Sequence, residues 1–257
     1  MLVPGLTGIM GIFNCEQLEL RRLLSVTLAD GLLLITGTAG DDLIYLSPST
    51  SPTTPIPFPS QIEVNVNKQR ATFDLSSIAR VEILGLAGDD DIFVTDSLHP
   101  KNDLGVVPLP VFINGGAGDD RIAATHNNDT IFGGAGADQL FGSFGDDRIF
   151  GGDGDDIVYG MAGQDILLGG LGDDILYGDA GHDLIKGGWG DDEIEGGRDN
   201  DLLLGGEGDD HIRAKSGLDT ILGNRGNDAL FGDAGDDSLI GGFGNDSLLG
   251  GSGLDRL

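Results

Sequence analysis

The sequence predicts an all-β fold of the solenoid type, in which short strands stack in successive coils. Three observations lead to this prediction. From residue 115 onward the chain divides into nine-residue units without insertion or deletion. The eighth residue of every unit is Ile, Leu or Val. The first six positions are rich in Gly and Asp, which favour tight turns. One short strand cannot form a core, whereas many stacked copies can.

The repeat comprises fifteen complete units and one of eight residues, and together they cover residues 115–257. Examples are "GGAGDDRIA" and "GGDGDDIVY"; the first residue is Gly in fourteen units, with Ala124 and Ala214 the exceptions. Two isolated units lie upstream, "GTAGDDLIY" at 37–45 and "GLAGDDDIF" at 85–93. The sixth residue of all these units is Asp, namely Asp42, Asp90, Asp120, Asp129, Asp138, Asp147, Asp156, Asp165, Asp174, Asp183, Asp192, Asp201, Asp210, Asp219, Asp228, Asp237, Asp246 and Asp255.

Each unit is predicted to have two halves. Positions one to six form a turn, and positions seven to nine form a three-residue strand. Neighbouring residues of a strand point to opposite faces, so the aliphatic eighth residue should point inward. The seventh and ninth residues should then point outward.

The sixth-position Asp carries the functional prediction. Equivalent residues of stacked coils lie one strand spacing apart, about 4.8 Å. Two carboxylates at that distance repel by roughly 0.9 kcal/mol even in water. Columns of Asp therefore require cations. Calcium suits them because it takes six to eight oxygen ligands, including carboxylates and backbone carbonyls. No repeating His or Cys is present for a softer metal.

The pattern GGxGxDx(aliphatic)x resembles the calcium-binding nonapeptide of the repeats-in-toxin (RTX) family, continuously over residues 115–257 and locally at 37–45 and 85–93. The resemblance implies a parallel β-roll with two nonapeptides per turn, preceded here by irregular β-rich coils. Units eighteen residues apart then stack, which pairs Asp120 with Asp138, Asp129 with Asp147, and so on to Asp237 with Asp255. It also implies Ca²⁺ between consecutive loops, held by sixth-position Asp side chains and loop carbonyls. All eighteen aspartates are thus candidate ligands.

The charge of the chain agrees with many bound cations. Its 43 acidic and 14 basic residues give a net charge of -29, which argues against nucleic acid and anionic membrane as partners. Sixteen units make two stacks of eight loops, hence at most about fourteen gaps for Ca²⁺. Fourteen ions would nearly neutralise the chain. No segment after the first residues is long enough to span a membrane.

Three units depart from the pattern, and they are the units in which a calcium site is least expected. Unit 124–132 has Asn127 where Gly is usual, although Asn tolerates the left-handed backbone conformation. Unit 196–204 has Asp199 at the same place, and unit 214–222 begins with Ala214 and Lys215.

The chain divides into three regions. Residues 1–25 are predicted to be a leader or sorting segment; within it, "LELRRLL" at 18–24 resembles a short motif of large bacterial extracellular proteins, or is an ordinary amphipathic stretch. Residues 26–114 are β-rich, with alternation in "QIEVNVN" and "ARVEILG" and a Pro/Ser/Thr loop at 47–60. They should extend and cap the calcium-binding roll of residues 115–257. The resemblance implies a secreted, extracellular or cell-surface protein.

No catalytic motif accompanies the repeats. HExxH, GxSxG and GxxxxGK are absent, and the four His residues are scattered. We therefore predict a calcium-binding structural or interaction module and not an enzyme. The alternative is the non-catalytic repeat portion of a secreted hydrolase or haemolysin-like toxin, for which residues 61–114 would be the only pocket-forming region.

Many outward ninth positions are apolar, which is unusual for a solitary roll. These side chains could form aromatic ladders on the sheets, or residues 26–114 could cover them. Alternatively, the protein associates sideways through residues 157–177, with itself or with a neighbouring surface protein. The residues concerned are Phe132, Phe150, Leu168, Leu204, Leu222 and Ile240 on one sheet, and Phe141, Tyr159, Tyr177, Phe231 and Leu249 on the other.

Overall fold

A computed structural model describes residues 25–48, 61–94 and 109–257. The predicted leader (apart from residue 25), the 18–24 motif and most of the predicted 47–60 loop lie outside the described residues. The first two residues of that loop, Ser47 and Pro48, belong to a strand. Within these ranges, no helix has the length and apolar composition needed to cross a membrane.

The described residues form strands joined by short turns, with one turn of 3-10 helix at Leu75–Ser77. The strands are β1 (Ser25–Ala29), β2 (Leu32–Thr36), β3 (Leu43–Pro48), β4 (Gln61–Val66), β5 (Gln69–Asp74), β6 (Arg80–Leu84), β7 (Asp91–Val94), β8 (Val111–Ala117), β9 (Arg121–Ala123), β10 (Thr130–Ala135), β11 (Gln139–Phe144), β12 (Arg148–Asp153), β13 (Ile157–Ala162), β14 (Ile166–Leu171), β15 (Ile175–Ala180), β16 (Leu184–Trp189), β17 (Glu193–Arg198), β18 (Leu202–Glu207), β19 (His211–Ser216), β20 (Thr220–Arg225), β21 (Ala229–Ala234), β22 (Ser238–Phe243) and β23 (Ser247–Ser252).

From β6 onward successive strands alternate between two sheets, which confirms the predicted parallel β-roll. Sheet A has the order β1-β2-β6-β8-β10-β12-β14-β16-β18-β20-β22. Sheet B has the order β23-β21-β19-β17-β15-β13-β11-β9-β7-β3-β4-β5. From β8 onward neighbours in a sheet are parallel and eighteen residues apart, so that Ile131 pairs with Ile149 and Val158 with Leu176.

The strands are longer than the sequence pattern predicted. Most have six residues and run from the seventh position of one unit to the third position of the next, as in β13 (Ile157–Ala162). The prediction of a six-residue turn and a three-residue strand was therefore wrong. The turn occupies only positions four to six, because the paired glycines at positions one and two continue the ladder. As a result, two residues of each strand face the interior: the eighth residue and the next first residue.

The core is a double row of aliphatic eighth residues between the two sheets. Ile131, Ile149 and Leu167 of sheet A and Leu140 and Val158 of sheet B are fully buried. Seventh and ninth residues are generally half-exposed or exposed, as predicted. The turns also stack, because the amide of Ile157 donates to the carbonyl of Asp138 and that of Gly136 to the carbonyl of Asp153.

The coils upstream of residue 115 continue both sheets. β2, β6 and β8 are parallel neighbours in sheet A, and β3, β7 and β9 in sheet B. β1 adds to β2 in the antiparallel direction, and the β4–β5 hairpin adds to β3 in the same way. These antiparallel strands end the parallel stack and cover its first coil.

Candidate metal centre: two columns of buried aspartate

Each sixth-position Asp lies in the turn that enters a strand, so the two sheets generate two columns. Column B, at the start of the sheet B strands, contains Asp42, Asp90, Asp120, Asp138, Asp156, Asp174, Asp192, Asp210, Asp228 and Asp246. Column A contains Asp129, Asp147, Asp165, Asp183, Asp201, Asp219, Asp237 and Asp255. Sixteen of these eighteen side chains are buried; Asp246 and Asp255, in the last coils, are half-buried.

The Oδ1 atoms connect each column from coil to coil. The amide of each Asp donates to Oδ1 of the next Asp in its column, at 2.8 Å for Asp120 to Asp138 and 2.7 Å for Asp129 to Asp147. Asp42 and Asp90 join column B in the same manner, although 48 and 30 residues separate them from their partners. The predicted stacking of units eighteen residues apart is therefore confirmed, and the two isolated units extend column B beyond it.

The Oδ2 atoms are mostly without a hydrogen-bond donor. Fourteen of them are buried and accept no hydrogen bond, those of Asp90, Asp120, Asp138, Asp147, Asp156, Asp165, Asp174, Asp183, Asp192, Asp201, Asp210, Asp219, Asp228 and Asp237. An unsatisfied buried carboxylate oxygen is costly and rare in a folded protein. Its regular repetition points to a ligand that binds oxygen.

Beside most of these Oδ2 atoms the first residue of the same unit is Gly, which leaves space there; Ala214, in the unit of Asp219, is an exception. A Cβ added to Gly133 would lie 2.2 Å from Oδ2 of Asp138 and 2.7 Å from the carbonyl oxygen of Gly151. The same relation holds at Gly151, with Asp156 and the carbonyl of Gly169. A carboxylate oxygen of one coil and a carbonyl oxygen of the next thus face one small space, which is the donor chemistry of a hard cation.

The carboxylates are poorly solvated in the metal-free protein. Burial raises the pKa of Asp138 and Asp183 to about 7 and of Asp147 and Asp201 to about 8. The hydrogen bond from the preceding amide opposes this effect, and repulsion from neighbouring aspartates adds to it. A cation beside Oδ2 would relieve both the burial and the repulsion.

The residues present fit calcium through carboxylate and carbonyl oxygens together. Among the described residues, no three His, Cys, Asp or Glu side chains converge on one point. Each cation would therefore be held by few side chains, with carbonyl oxygens and water completing its shell. Oxygen ligands and a flexible number of them are characteristic of calcium.

A family model of the RTX calcium-binding nonapeptide repeat matches six stretches that together cover residues 112–257, namely 112–140, 132–167, 141–176, 168–203, 204–239 and 222–257. The chain belongs to this RTX repeat family. A search of curated proteins finds no match. Over these residues the protein is therefore an RTX calcium-binding structural module, built as a β-solenoid.

Two of the three atypical RTX units keep the ordinary surroundings of their Asp. Asp199 adopts the left-handed conformation with φ of 74° and Lys215 that with φ of 80°, and the Oδ2 atoms of Asp201 and Asp219 lack donors like the others. Unit 124–132 differs. Asn127 does not take a positive φ, and Oδ2 of Asp129 has hydrogen-bond donors.

A second ladder, at the fifth position, was not predicted from the sequence. The amide of Asp173 donates to Oδ1 of Asp155 at 2.9 Å, and that of Asp191 donates to Oδ1 of Asp173 at 2.8 Å. His182 takes the same place in the other turn and accepts from the amide of Asn200 through Nδ1. These side chains are exposed and satisfy turn amides. The frequent "DD" pair was the available signal, because its two members recur together.

Proposed function

We propose that the chain is a secreted calcium-binding β-roll that folds when calcium binds and serves as an extracellular structural or interaction module. The observation that carries this proposal is the row of fourteen buried Oδ2 atoms without donors. In the proposal, all eighteen sixth-position aspartates are candidate calcium ligands, and the carbonyl oxygens of first-position residues complete the sites.

Charge supports coupling between calcium and folding. Residues 115–257 contain 30 acidic and 8 basic residues. Burial and repulsion from neighbouring aspartates raise the pKa of the column carboxylates, so their ionisation in the folded state is unfavourable without a cation. Net charge of one sign opposes compaction. Where no site exists before folding, the free energy of metal binding becomes free energy of folding. Calcium bound between consecutive turns would supply this folding free energy at each site.

The proposal includes no catalytic role for the roll. Every Asp of both columns takes part in the regular ladder, and each is related to its neighbours by the same geometry. Binding chemistry accounts for these residues without a reaction. Secretion is proposed from the family membership, because calcium is abundant outside cells and the sites are many.

Far-UV circular dichroism of the full chain with and without calcium tests the function. Addition of millimolar calcium to a chelated sample should produce the β-sheet spectrum, whereas equal magnesium should produce much less, because magnesium demands octahedral geometry. Equilibrium dialysis should find several calcium ions per chain. An unchanged β-sheet spectrum in chelator, or no calcium retained on dialysis, would contradict the proposal.

We also propose that the calcium-loaded roll associates sideways through the outward side chains of residues 157–177, with a second copy as the partner. Phe141, Tyr159 and Tyr177 stack in sheet B with ring centroids 5.0 Å apart, and they form a flat, half-exposed aromatic strip. Ile157 and Ile175, also half-exposed, flank it on the same sheet. Aromatic residues are enriched at protein interfaces, which favours this face.

A further inference from the structure

The first Asp of each column differs from those that follow it. Column B begins at Asp42, and column A begins at Asp129, since the residue one coil earlier in column A is Val111. In both cases the Oδ2 atom that elsewhere lacks a donor has two.

The two donors come from a Thr at the second position of the same unit. Oδ2 of Asp129 accepts hydrogen bonds of 2.7 Å from both the amide and the hydroxyl of Thr125. Oδ2 of Asp42 accepts from the amide and, at 3.0 Å, the hydroxyl of Thr38. All four residues are buried, so no solvent competes.

The backbone explains why only these two units contain the arrangement. In the other sixteen units the second residue has a positive φ, even where it is not Gly, as at Ser143, Met161 and Lys215. A β-branched residue is a true outlier in that region, and Thr38 and Thr125 do not enter it. Their amides turn instead toward the interior and reach the carboxylate.

The Oδ1 atoms of the two aspartates are satisfied as well. Oδ1 of Asp129 accepts from the amide of Val111 at 2.8 Å. Among the described residues no coil precedes Asp42 in its sheet. Its Oδ1 accepts from the side-chain amide of Asn67, in the turn of the β4–β5 hairpin. Each first carboxylate is therefore balanced by protein donors on both oxygens.

We propose that Asp42 and Asp129 are metal-free caps that begin the two columns, and that the calcium ligands start at Asp90 in column B and Asp147 in column A. This inference rests on the proposed calcium function and narrows it, leaving at most sixteen ligand aspartates. Calcium at Oδ2 of a cap would have to displace an amide N–H, which is a donor only and cannot become a ligand. The Thr units replace the cation with hydrogen bonds to the charged group.

The decisive experiment compares neighbours in one column. Asp129→Asn and Asp147→Asn are prepared in the full chain, and calcium per chain is counted by equilibrium dialysis at saturation. We expect Asp129→Asn to keep the wild-type number of ions and Asp147→Asn to lose at least one. Asp42→Asn and Asp90→Asn repeat the comparison in column B. Equal losses within each pair would overturn the inference, whereas a wild-type chain that binds no calcium would refute the proposed function itself.

A second variant covers the case in which Asp129→Asn does not fold. Thr125→Val keeps the side-chain shape and the amide but removes the hydroxyl. We expect its calcium count to stay at the wild-type value, while amide hydrogen exchange of the calcium-loaded protein becomes faster around residues 125–129. A lower calcium count in Thr125→Val would mean that the Thr hydroxyl is a ligand and would overturn the proposal.

Discussion

The amide of Asp156 donates a hydrogen bond of 2.8 Å to Oδ1 of Asp174, eighteen residues further along the chain. The amide of Asp174 donates in turn to Asp192. Each carboxylate thus uses Oδ1 to hold the preceding coil and leaves Oδ2 toward the following one. One residue joins two interfaces of the stack, so a mutation within a column should act on both.

Position within a column should set the cost of losing an Asp. Asp183 is buried, accepts from the amide of Asp165 and donates to Asp201, whereas Asp255 is half-buried and accepts from the amide of Asp237. Asp183→Ala should therefore raise the calcium midpoint of folding more than Asp255→Ala, as nearest-neighbour energetics requires. A calcium titration followed by circular dichroism measures both midpoints. Equal midpoints would argue against stacked sites.

The metal-free protein should fold better in mild acid than at neutral pH. The pKa of Asp138 is about 7 and that of Asp147 about 8 in the folded state, both raised by burial from an ordinary value of 3.8. The folded state thus binds more protons between these values, so its stability is greatest below about pH 4 and falls as the pH rises to about 8.

Circular dichroism of calcium-depleted protein between pH 4 and pH 8 tests this dependence. The β-sheet signal should decrease as the pH rises, and the calcium midpoint should be higher in acid because protons compete for the ligands. The exposed Asp209 differs from the column aspartates, since its hydrogen bonds with Asn227 lower its pKa. A β-sheet signal that grows with pH in the absence of calcium would contradict the prediction.

The first-position Gly should resist substitution. A Cβ at Gly133 would collide with Oδ2 of Asp138 at 2.2 Å, so Gly133→Ala should destabilise the calcium-loaded protein by about 1–3 kcal/mol, the usual cost of overpacking. Gly40→Ala is the matched control, because a Cβ there meets nothing within 4 Å and its φ is not positive. Thermal unfolding in calcium measures both. Similar destabilisation of the two variants would show that the space beside Oδ2 is not the cause.

The aromatic strip of sheet B should mediate self-association. Tyr159→Ser with Tyr177→Ser removes two rings that are stacked at 5.0 Å, and it should weaken oligomers seen by sedimentation in calcium. The double variant also loses ring stacking worth about 0.5–1.5 kcal/mol per pair, so its β-sheet spectrum is measured as a control. Phe132→Ser with Phe150→Ser, on sheet A, removes a comparable stack and should leave the oligomers unchanged. A wild-type protein that stays monomeric at high concentration in calcium would contradict the proposal.

The sequence was sufficient to predict the coil repeat, the two stacked columns and the inward eighth residue. The coil repeat and the inward eighth residue follow from strict periodicity, whereas the pairing of units eighteen residues apart, and hence the two columns, was implied by the resemblance to the RTX family. Residues 26–114 were expected to form irregular coils that extend and cap the roll; within this range, β2 and β6 pair in parallel in sheet A, as do β3 and β7 in sheet B. The spacing of 48 residues from Asp42 to Asp90 could not be interpreted in advance, because it contains the antiparallel hairpin as well as a coil.

Two features of the site could not be predicted from the repeat alone. The unequal roles of Oδ1 and Oδ2 depend on the direction in which each turn amide points. The second-position Thr residues were visible in "GTAGDD" and "ATHNND", yet their importance follows from a φ that only the folded coil defines. In the same way, the first-position Gly was interpreted as a turn former, whereas at Gly133 and Gly151 the missing side chain leaves space beside Oδ2 in the interior.

The alternation of successive strands between two sheets constrains how such a gene can grow. Duplication of eighteen residues would add one complete turn, and every later strand would stay in its original sheet. Duplication of nine residues after Leu168 would send each later strand to the opposite sheet, so that Tyr177 would lie above Leu168 instead of Tyr159. The column of aspartates would survive, since both turns contain it, but the aromatic strip would be divided. The roll can therefore change in length by nine residues without loss of the metal-binding pattern. The stacks of outward side chains on each sheet are preserved only when the length changes by eighteen residues.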